Sequence, residues 1–273
     1  MAAQNYANLK QDLIASVVQR ELEFQAKLMA TVTNVSQFAV PGAKSIAFPK
    51  LSSFTVNDRA FGAADTEQVL ADTTDVVLLN KNKIVSWIID AKDAFQTTIN
   101  AQSANAKRAS AALGRQIDTD IAALLESDSP ATTTAGVISR DIILEMQETL
   151  FDNEAELDRI VLVVGNDSYS DLLKISEFTE NQIYGPNAAI SGGQVGTVYG
   201  MPVIRRSGLA AGSYYMYDKE AFALGMQVGP QMDSEKDIQY GTGAMRFAMD
   251  VLYGLDSLQR SGGVSLLAVK DNN

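Results

Sequence analysis

The residues with the greatest capacity for chemistry are acidic, and they do not converge. Asp152, Glu154, Glu156 and Asp158 fall at alternate positions, the spacing of the first ligands of a calcium loop. Leu157 stands where such a loop needs its turning glycine, and Val163 where it needs the closing glutamate. The run therefore reads as a solvated acidic connection. Asp118 and Asp120 are two apart in a helical stretch, on nearly opposite faces, so they cannot chelate one ion. Gly42-Ala43-Lys44-Ser45 has the residue types that end a phosphate loop, but its Gly and Lys are not adjacent and no strand-to-helix context follows. Gly192, Gly193, Gly196 and Gly200 lead into a strand, whereas a dinucleotide fingerprint leads out of one into a helix. Gly165-Asn166-Asp167-Ser168 lacks the second glycine of a nucleophile elbow. Lys81 with Lys83, and Arg205 with Arg206, are too few cations for a nucleic-acid platform.

Composition closes further routes. The 273 residues include no Cys and no His. Thiolate metal sites, disulfides, Ser-His-Asp triads and imidazole acid–base chemistry are all excluded. A net charge of −11 argues against tight binding to DNA or RNA by counterion release. No apolar run approaches the roughly 18 residues of a membrane span. The first 30 residues read as an amphipathic helix with acidic members, so no signal peptide is expected. The chain is read as a non-enzyme with no catalytic residue, no metal ligand and no cofactor. Its architecture has to indicate its role.

Tyr6 to Thr31 reads as a first helix with a broad apolar face. Val40-Pro41-Gly42 breaks it, and Ser45 to Phe48 is extended. Thr73 to Leu79 and Ile84 to Ile89 are two β-rich runs around the polar Asn80-Lys81-Asn82-Lys83, which predicts a hairpin. With Ser45 to Val56 it forms a two- or three-stranded arm, marginal alone in water and in need of a partner surface. Gln96 to Glu126 predicts one long helix of about 45 Å. Ala106, Ala109, Leu113, Ile117, Ile121 and Leu124 recur on one face, with Asp118 and Asp120 off it. Thr132 to Gly136 is a linker. Ser139 caps a helix, and Arg159 to Val164 is a strand buried on both faces. Ser176 to Gly193 is a long irregular segment, the length that usually marks a contact element. Strands follow at 195–205, 214–217 and 222–228. Asp237 to Gly241, Met245 to Tyr253 and Val264 to Val269 continue the series. Pro202 predicts an edge or bulge position.

This order of parts resembles the major capsid proteins of tailed bacteriophages, the Hong Kong 97-type α+β shell fold. SIAFPKLSSFTVND followed by TTDVVLLNKNKIVSWIIDAKDAF is similar to that family's E-loop and the hairpin leading to its spine helix. RIVLVVGNDSYSDLLKISEF and NQIYGPNAAISGGQVGTVYGMPVIRRSG are similar to its axial A-domain. YYMYDKEAFALGMQVGPQ and MRFAMDVLYGLDSLQRSGGVSLLAV are similar to the strands that close the A-domain and complete the peripheral P-domain.

The resemblance implies an N-terminal helical arm at 1–44, an E-loop arm at 45–90, a P-domain at 91–131 and 229–273, and an A-domain at 132–228. It implies a coat protein whose pentamers and hexamers tile an icosahedral shell around double-stranded DNA, in a virion assembled in the host cytoplasm. Asn57, Arg59, Phe61 and Glu67 would contact a neighbouring subunit. Tyr184, Pro186 and Asn187, in the loop from Asn181 to Gly193, would lie near the capsomer axis. The implied partners are further copies of the chain, a separate scaffolding protein and a portal protein. The DNA is touched only loosely, no membrane partner is implied, and a decoration or cement protein is left open. Covalent crosslinking through Lys and Asn is not expected, because no carboxylate is marked as its catalyst. An encapsulin-like compartment shell is the alternative within the fold. A carboxylate enzyme with a metal at Asp152–Asp158 is the alternative outside it.

Overall fold

The computed structural model describes residues 27–50, 54, 56–59, 61, 62, 73–90, 101–132, 136–175, 195–241, 243–258, 260, 261 and 264–271. The described chain opens with a 3-10 turn at Met29–Thr31 and the two-residue strand β1 (Thr33–Asn34). Strands β2 (Ser45–Lys50), β3 (Thr73–Leu78) and β4 (Lys81–Ile89) precede helix α1 (Ala101–Asp128). Helix α2 (Arg140–Asp152), strand β5 (Ile160–Val164) and helix α3 (Asn166–Leu172) follow. The remainder is strand: β6 (Val195–Val198), β7 (Met201–Arg205), β8 (Tyr214–Asp218), β9 (Phe222–Lys236), β10 (Met245–Ser257), β11 (Arg260–Ser261), β12 (Val264–Ser265) and β13 (Ala268–Lys270). The architecture is mixed α+β.

Helix α1 spans 28 residues, about 42 Å at 1.5 Å each. Its buried apolar row is Ala109, Leu113, Ile117, Ile121 and Leu125, with Ala122 beside it. Against one side of this row lies a four-stranded sheet in the order β1-β9-β10-β4. That sheet contributes Trp87, Ile89, Phe247, Met249, Val251 and Tyr253 to a shared core. Trp87 stacks on Phe247 with ring centres 5.6 Å apart. The same core takes Val161, Val163, Tyr215 and Tyr217 from a five-stranded sheet in the order β13-β8-β5-β7-β6. The opposite face of that second sheet, with Ile160, Leu162, Val164, Tyr214 and Met216, packs on Ile142, Ile143, Met146 and Leu150 of α2 and Leu172 of α3. Strand β5 is thus covered on both faces, which is why its five residues are all apolar and all buried. Each fully buried Leu or Ile stabilises the fold by about 2 kcal/mol, so the row on α1 alone is a substantial share of the total.

Several expected elements form as read. Ser139 caps α2, its hydroxyl accepting from the Ile142 N–H at 3.5 Å, and Asp141 sits in the first turn. Pro202 pairs with Thr197 beside a register shift. The expected first helix lies outside the described residues up to 26, and its final residues form a 3-10 turn instead. Asp237 to Gly241 is a turn as well, with a 3-10 segment at Ile238–Tyr240, and β9 runs on to Lys236. The last strand, β13, pairs antiparallel with β8 and so joins the sheet of the 132–228 segment, not the sheet on β10.

The expected hairpin of Thr73–Leu79 with Ile84–Ile89 does not form. Strand β3 pairs antiparallel with β2, from Ser45↔Leu78 to Lys50↔Thr73. Strand β4 pairs antiparallel with β10, from Met245↔Ile89 to Tyr253↔Lys81. The two runs part because they bury against different things. Val77 and Leu79 enter a small core with Val35, Ala39, Ile46 and Ala223, while Trp87 and Ile89 face α1. The chain crosses β10 between them at Gly254. A Cβ there would overlap the Leu78 carbonyl and lie 3.1 Å from Leu79 Cα. Backbone cannot yield as a side-chain tip can, so Gly254→Ala should cost about 3 kcal/mol or prevent folding. Gly229→Ala, with open space around its Cβ, should unfold with the wild-type midpoint. Denaturant titration of the two variants checks both.

Candidate assembly site: a riveted helix and an exposed arm

The carboxylates of α1 hold distant segments of the chain to one helix. Asp118 is fully buried. Its Oδ2 accepts the backbone N–H of Lys27 at 2.9 Å and of Leu28 at 3.4 Å, and its Oδ1 accepts that of Met29 at 3.3 Å. Burial raises its pKa, and these hydrogen bonds and the nearby Arg206 guanidinium oppose the rise without cancelling it. Asp120, on another face, accepts the Tyr253 hydroxyl at 2.8 Å, the Lys81 ammonium at 3.2 Å and the Gln116 amide at 2.8 Å. Burial works against its charge, but those donors together outweigh it and hold its pKa below the ordinary value. Glu126 accepts from Lys270 at 2.8 Å and Tyr215 at 2.7 Å, which lowers its pKa in the same direction. Asp128 accepts the Ser257 hydroxyl at 2.6 Å. The N-terminal segment, β4, β10, β8 and β13 are thereby fixed to α1.

Asp118 and Asp120 diverge, as their spacing requires, each toward donors of a different segment. Asp118 nevertheless lies among the buried residues and not off the apolar row as expected. The sequence shows it only as a charge between Ile117 and Ile121; the backbone N–H groups that hold it come from residues about 90 positions away. The acidic run from Asp152 is a connection: Glu154 takes a positive φ of 63°, and Glu156 pairs with Arg159 at 3.1 Å. Among the described residues no three acidic side chains are grouped to hold a metal. The polar cleft at the β9–β10 tip, about 210 Å³, is lined by Glu235, Lys236, Asp237, Gln239 and Arg246, with Arg246 and Asp237 already joined at 2.6 Å. None of these groups is set out as an acid–base pair.

The arm is the other candidate. Strands β2 and β3 form a separate two-stranded ribbon, anchored at its base by Ile46, Val77 and Leu79. Beyond it Phe54, Val56 and Phe61 are 75%, 94% and 111% exposed. Asn57 and Arg59 are exposed on the same stretch. Glu67 lies outside the described residues, and so do Tyr184, Pro186 and Asn187. Among the described residues no helix is long and apolar enough to cross a membrane.

A shell subunit, with its core fixed to one strut and an apolar arm held away from it, is the class of protein this arrangement fits. The family model for phage capsid protein matches residues 7–265, and the chain belongs to that family. The major capsid protein of Escherichia phage T5 is 25% identical over 179 residues, covering 66% of this chain and 36% of that relative. The chain thus spans about a third of that protein's length. A solved structure from Mycobacterium phage Che8 superimposes with a TM-score of 0.75 at 19% identity, over 91% of each chain. The capsid structure of Cyanophage P-SCSP1u gives 0.71 at 12% identity, over 98% of this chain and 94% of the other. At those identities the likeness shows the fold alone. Proteins of this family are structural, so the chain is a capsid protein and not an enzyme.

The lowered pKa values of Asp120 and Glu126 set a pH dependence. A carboxyl whose folded pKa is depressed contributes stability above its unfolded value, 3.8 for Asp120 and 4.5 for Glu126. That contribution is lost as pH falls through the folded value. Asp120→Asn should therefore cost about 1 kcal/mol at pH 7, and that cost should shrink as the pH falls below 3.8. Urea midpoints of the two proteins across that range measure the convergence.

Proposed function

We propose that this chain is the major capsid protein of a tailed phage, a Hong Kong 97-type subunit whose pentamers and hexamers tile an icosahedral shell around double-stranded DNA. The single observation that supports it best is the exposed run of Phe54, Val56 and Phe61 beyond a two-stranded ribbon. Such a ribbon is marginal alone, and exposed apolar residues in a row need a covering surface. A neighbouring copy supplies that surface, with Asn57, Arg59, Phe61 and Glu67 in the contact. In this reading α1 is the spine of the P-domain (91–131 and 229–273), the 132–228 segment is the A-domain, and residues 1–44 are the N-terminal arm. The strand pairings support ending the E-loop near Leu79, because β4 belongs to the sheet of β10. Tyr184, Pro186 and Asn187 are then placed near the capsomer axis. A separate scaffolding protein and a portal protein are the partners in assembly, which takes place in the host cytoplasm. The net charge of −11 favours loose contact with packaged DNA.

Deleting Asn57–Leu70 tests this. The expected product is a folded subunit, with the wild-type circular dichroism spectrum, that forms no stable shells when co-expressed with the scaffolding protein. Negative-stain images and sedimentation read the result. Wild-type stability of the shells after the deletion would refute the arm's role, and persistent wild-type monomers under all assembly conditions would refute the shell itself.

A further inference from the structure

The clamp at Asp118 has a property that a plain packing contact lacks. The segment from Lys27 to Asn34 lies over a fully buried carboxylate, and residues 1–26 precede it in the chain. Thr33 also gives its hydroxyl to the Lys219 carbonyl at 2.9 Å, and just past the segment the Val35 N–H bonds the Leu224 carbonyl at 2.9 Å. Thr31 gives its hydroxyl to the Leu28 carbonyl at 2.7 Å and meets the Tyr217 hydroxyl at 2.6 Å. Strand β1 pairs with β9 at two positions, Thr33↔Ala223 and Asn34↔Leu224, and Leu28 and Val32 are buried in the core beside α1. The charged and titratable groups that face Asp118 are Arg206 after β7 and Tyr217 on β8. Lys27 turns its ammonium to the Arg205 carbonyl instead, at 3.4 Å, and Asp120 is engaged on the β10 side. Arg206 is itself buried, bonds Thr119 at 3.2 Å, and leaves its Nε without a partner.

We propose that Lys27–Asn34 is a strap closed over an ionisable latch, Asp118, whose charge sets how readily the N-terminal segment peels from α1. Closing the strap strips water from the carboxylate. Three backbone N–H groups and Arg206 return part of that loss. Opening rehydrates it. The direction follows from burial being the largest influence on Asp118, which leaves its pKa raised while the strap is closed. A group whose pKa is higher in the closed state favours closure fully below its open-state value, and loses that contribution as pH rises through its closed-state value. The strap is tightest in acid and loosest at neutral pH. This is the opposite of the trend set by Asp120 and Glu126 for the fold as a whole, so the two are separable in one experiment.

Amide hydrogen exchange of the full-length subunit between pH 4 and pH 7, corrected for intrinsic rates, reads the strap directly. In the wild type, protection of Leu28, Met29 and Val35 should fall as pH rises, about tenfold for each pH unit separating the closed and open titrations. Leu162 on β5 should not follow it. In Asp118→Asn, which cannot ionise, the slope should vanish whatever the absolute protection. Thr31→Val removes the Tyr217 and Leu28 bonds but not the latch, so it should lower protection at every pH and keep the slope. A wild-type protection that does not change with pH overturns the proposal, as does a slope that survives in Asp118→Asn. If Asp118→Asn does not fold, the wild type and Thr31→Val decide the matter: absence of the slope in both overturns it. Exchange of the strap only together with Leu162 also overturns it, since the segment would then open only with the whole fold.

Discussion

The burial of one broad side of α1, two of its carboxylates included, is the constraint on which the rest of the structure depends. A helix of 28 residues packed on two sheets loses water from Asp118 and Asp128 as well as from its apolar row, while Arg108, Arg115, Thr119 and Ala123 stay in solvent. Each carboxylate turned toward the sheets must then find a donor or be replaced. Asp118, Asp120, Glu126 and Asp128 meet that demand with donors from five other segments of the chain. The result is a strut to which distant parts of the sequence are tied by directional bonds, while Leu113, Ile117, Ile121 and Leu125 supply the undirected part of the stabilisation. Hydrophobic burial alone would leave the sheets free to slide along such a helix. Carboxylates at fixed heights set where each one stops.

How much of this was legible in the sequence depends on the range over which each feature is decided. The long helix, the cap at Ser139, the doubly buried run at Ile160–Val164 and the bulge at Pro202 are local patterns, and each formed close to where its residues placed it. The fate of Thr73–Leu78 was not local. Its alternation and the polar turn after it suit a hairpin as well as they suit the ribbon with β2. The ribbon outcome also needs Gly254, some 175 positions later, because any Cβ there would overlap the Leu78 carbonyl. A single glycine in a strand is a weak signal from sequence, usually read as a bulge or a close approach of unknown partner. The same holds for Asp118, whose role depends on N–H groups about 90 positions before it.

The candidate site divides in the same way. Phe61, Asn57 and Arg59 are exposed, because a run with no sustained period offers no core face to join. The carboxylates of α1 went unassigned, since charge at a helical spacing reads as a solvated surface until the second layer of structure is present. Their spacing did separate Asp118 from Asp120, which bond donors from different segments of the chain.

The two parts of the assembly surface differ in how they are held, and that difference suits a shell subunit. The N-terminal segment, β4, β8, β10 and β13 are fixed to α1 by hydrogen bonds within the chain. The ribbon of β2 and β3 packs at its base on one small apolar cluster through Ile46, Val77 and Leu79, with Phe48 against it, and Phe54, Val56 and Phe61 beyond it lie in solvent. A strand pair of that kind borrows its stability from whatever it lies on. In the proposed shell the neighbour supplies that surface, so the arm gains order only as the interface forms, and the cost of ordering it is charged to assembly. Rigid attachment through α1 then has a purpose beyond stability. A covering surface must be offered at a fixed distance and angle for closed rings to form, and a tile whose sheets are tied to one strut presents it the same way in every copy.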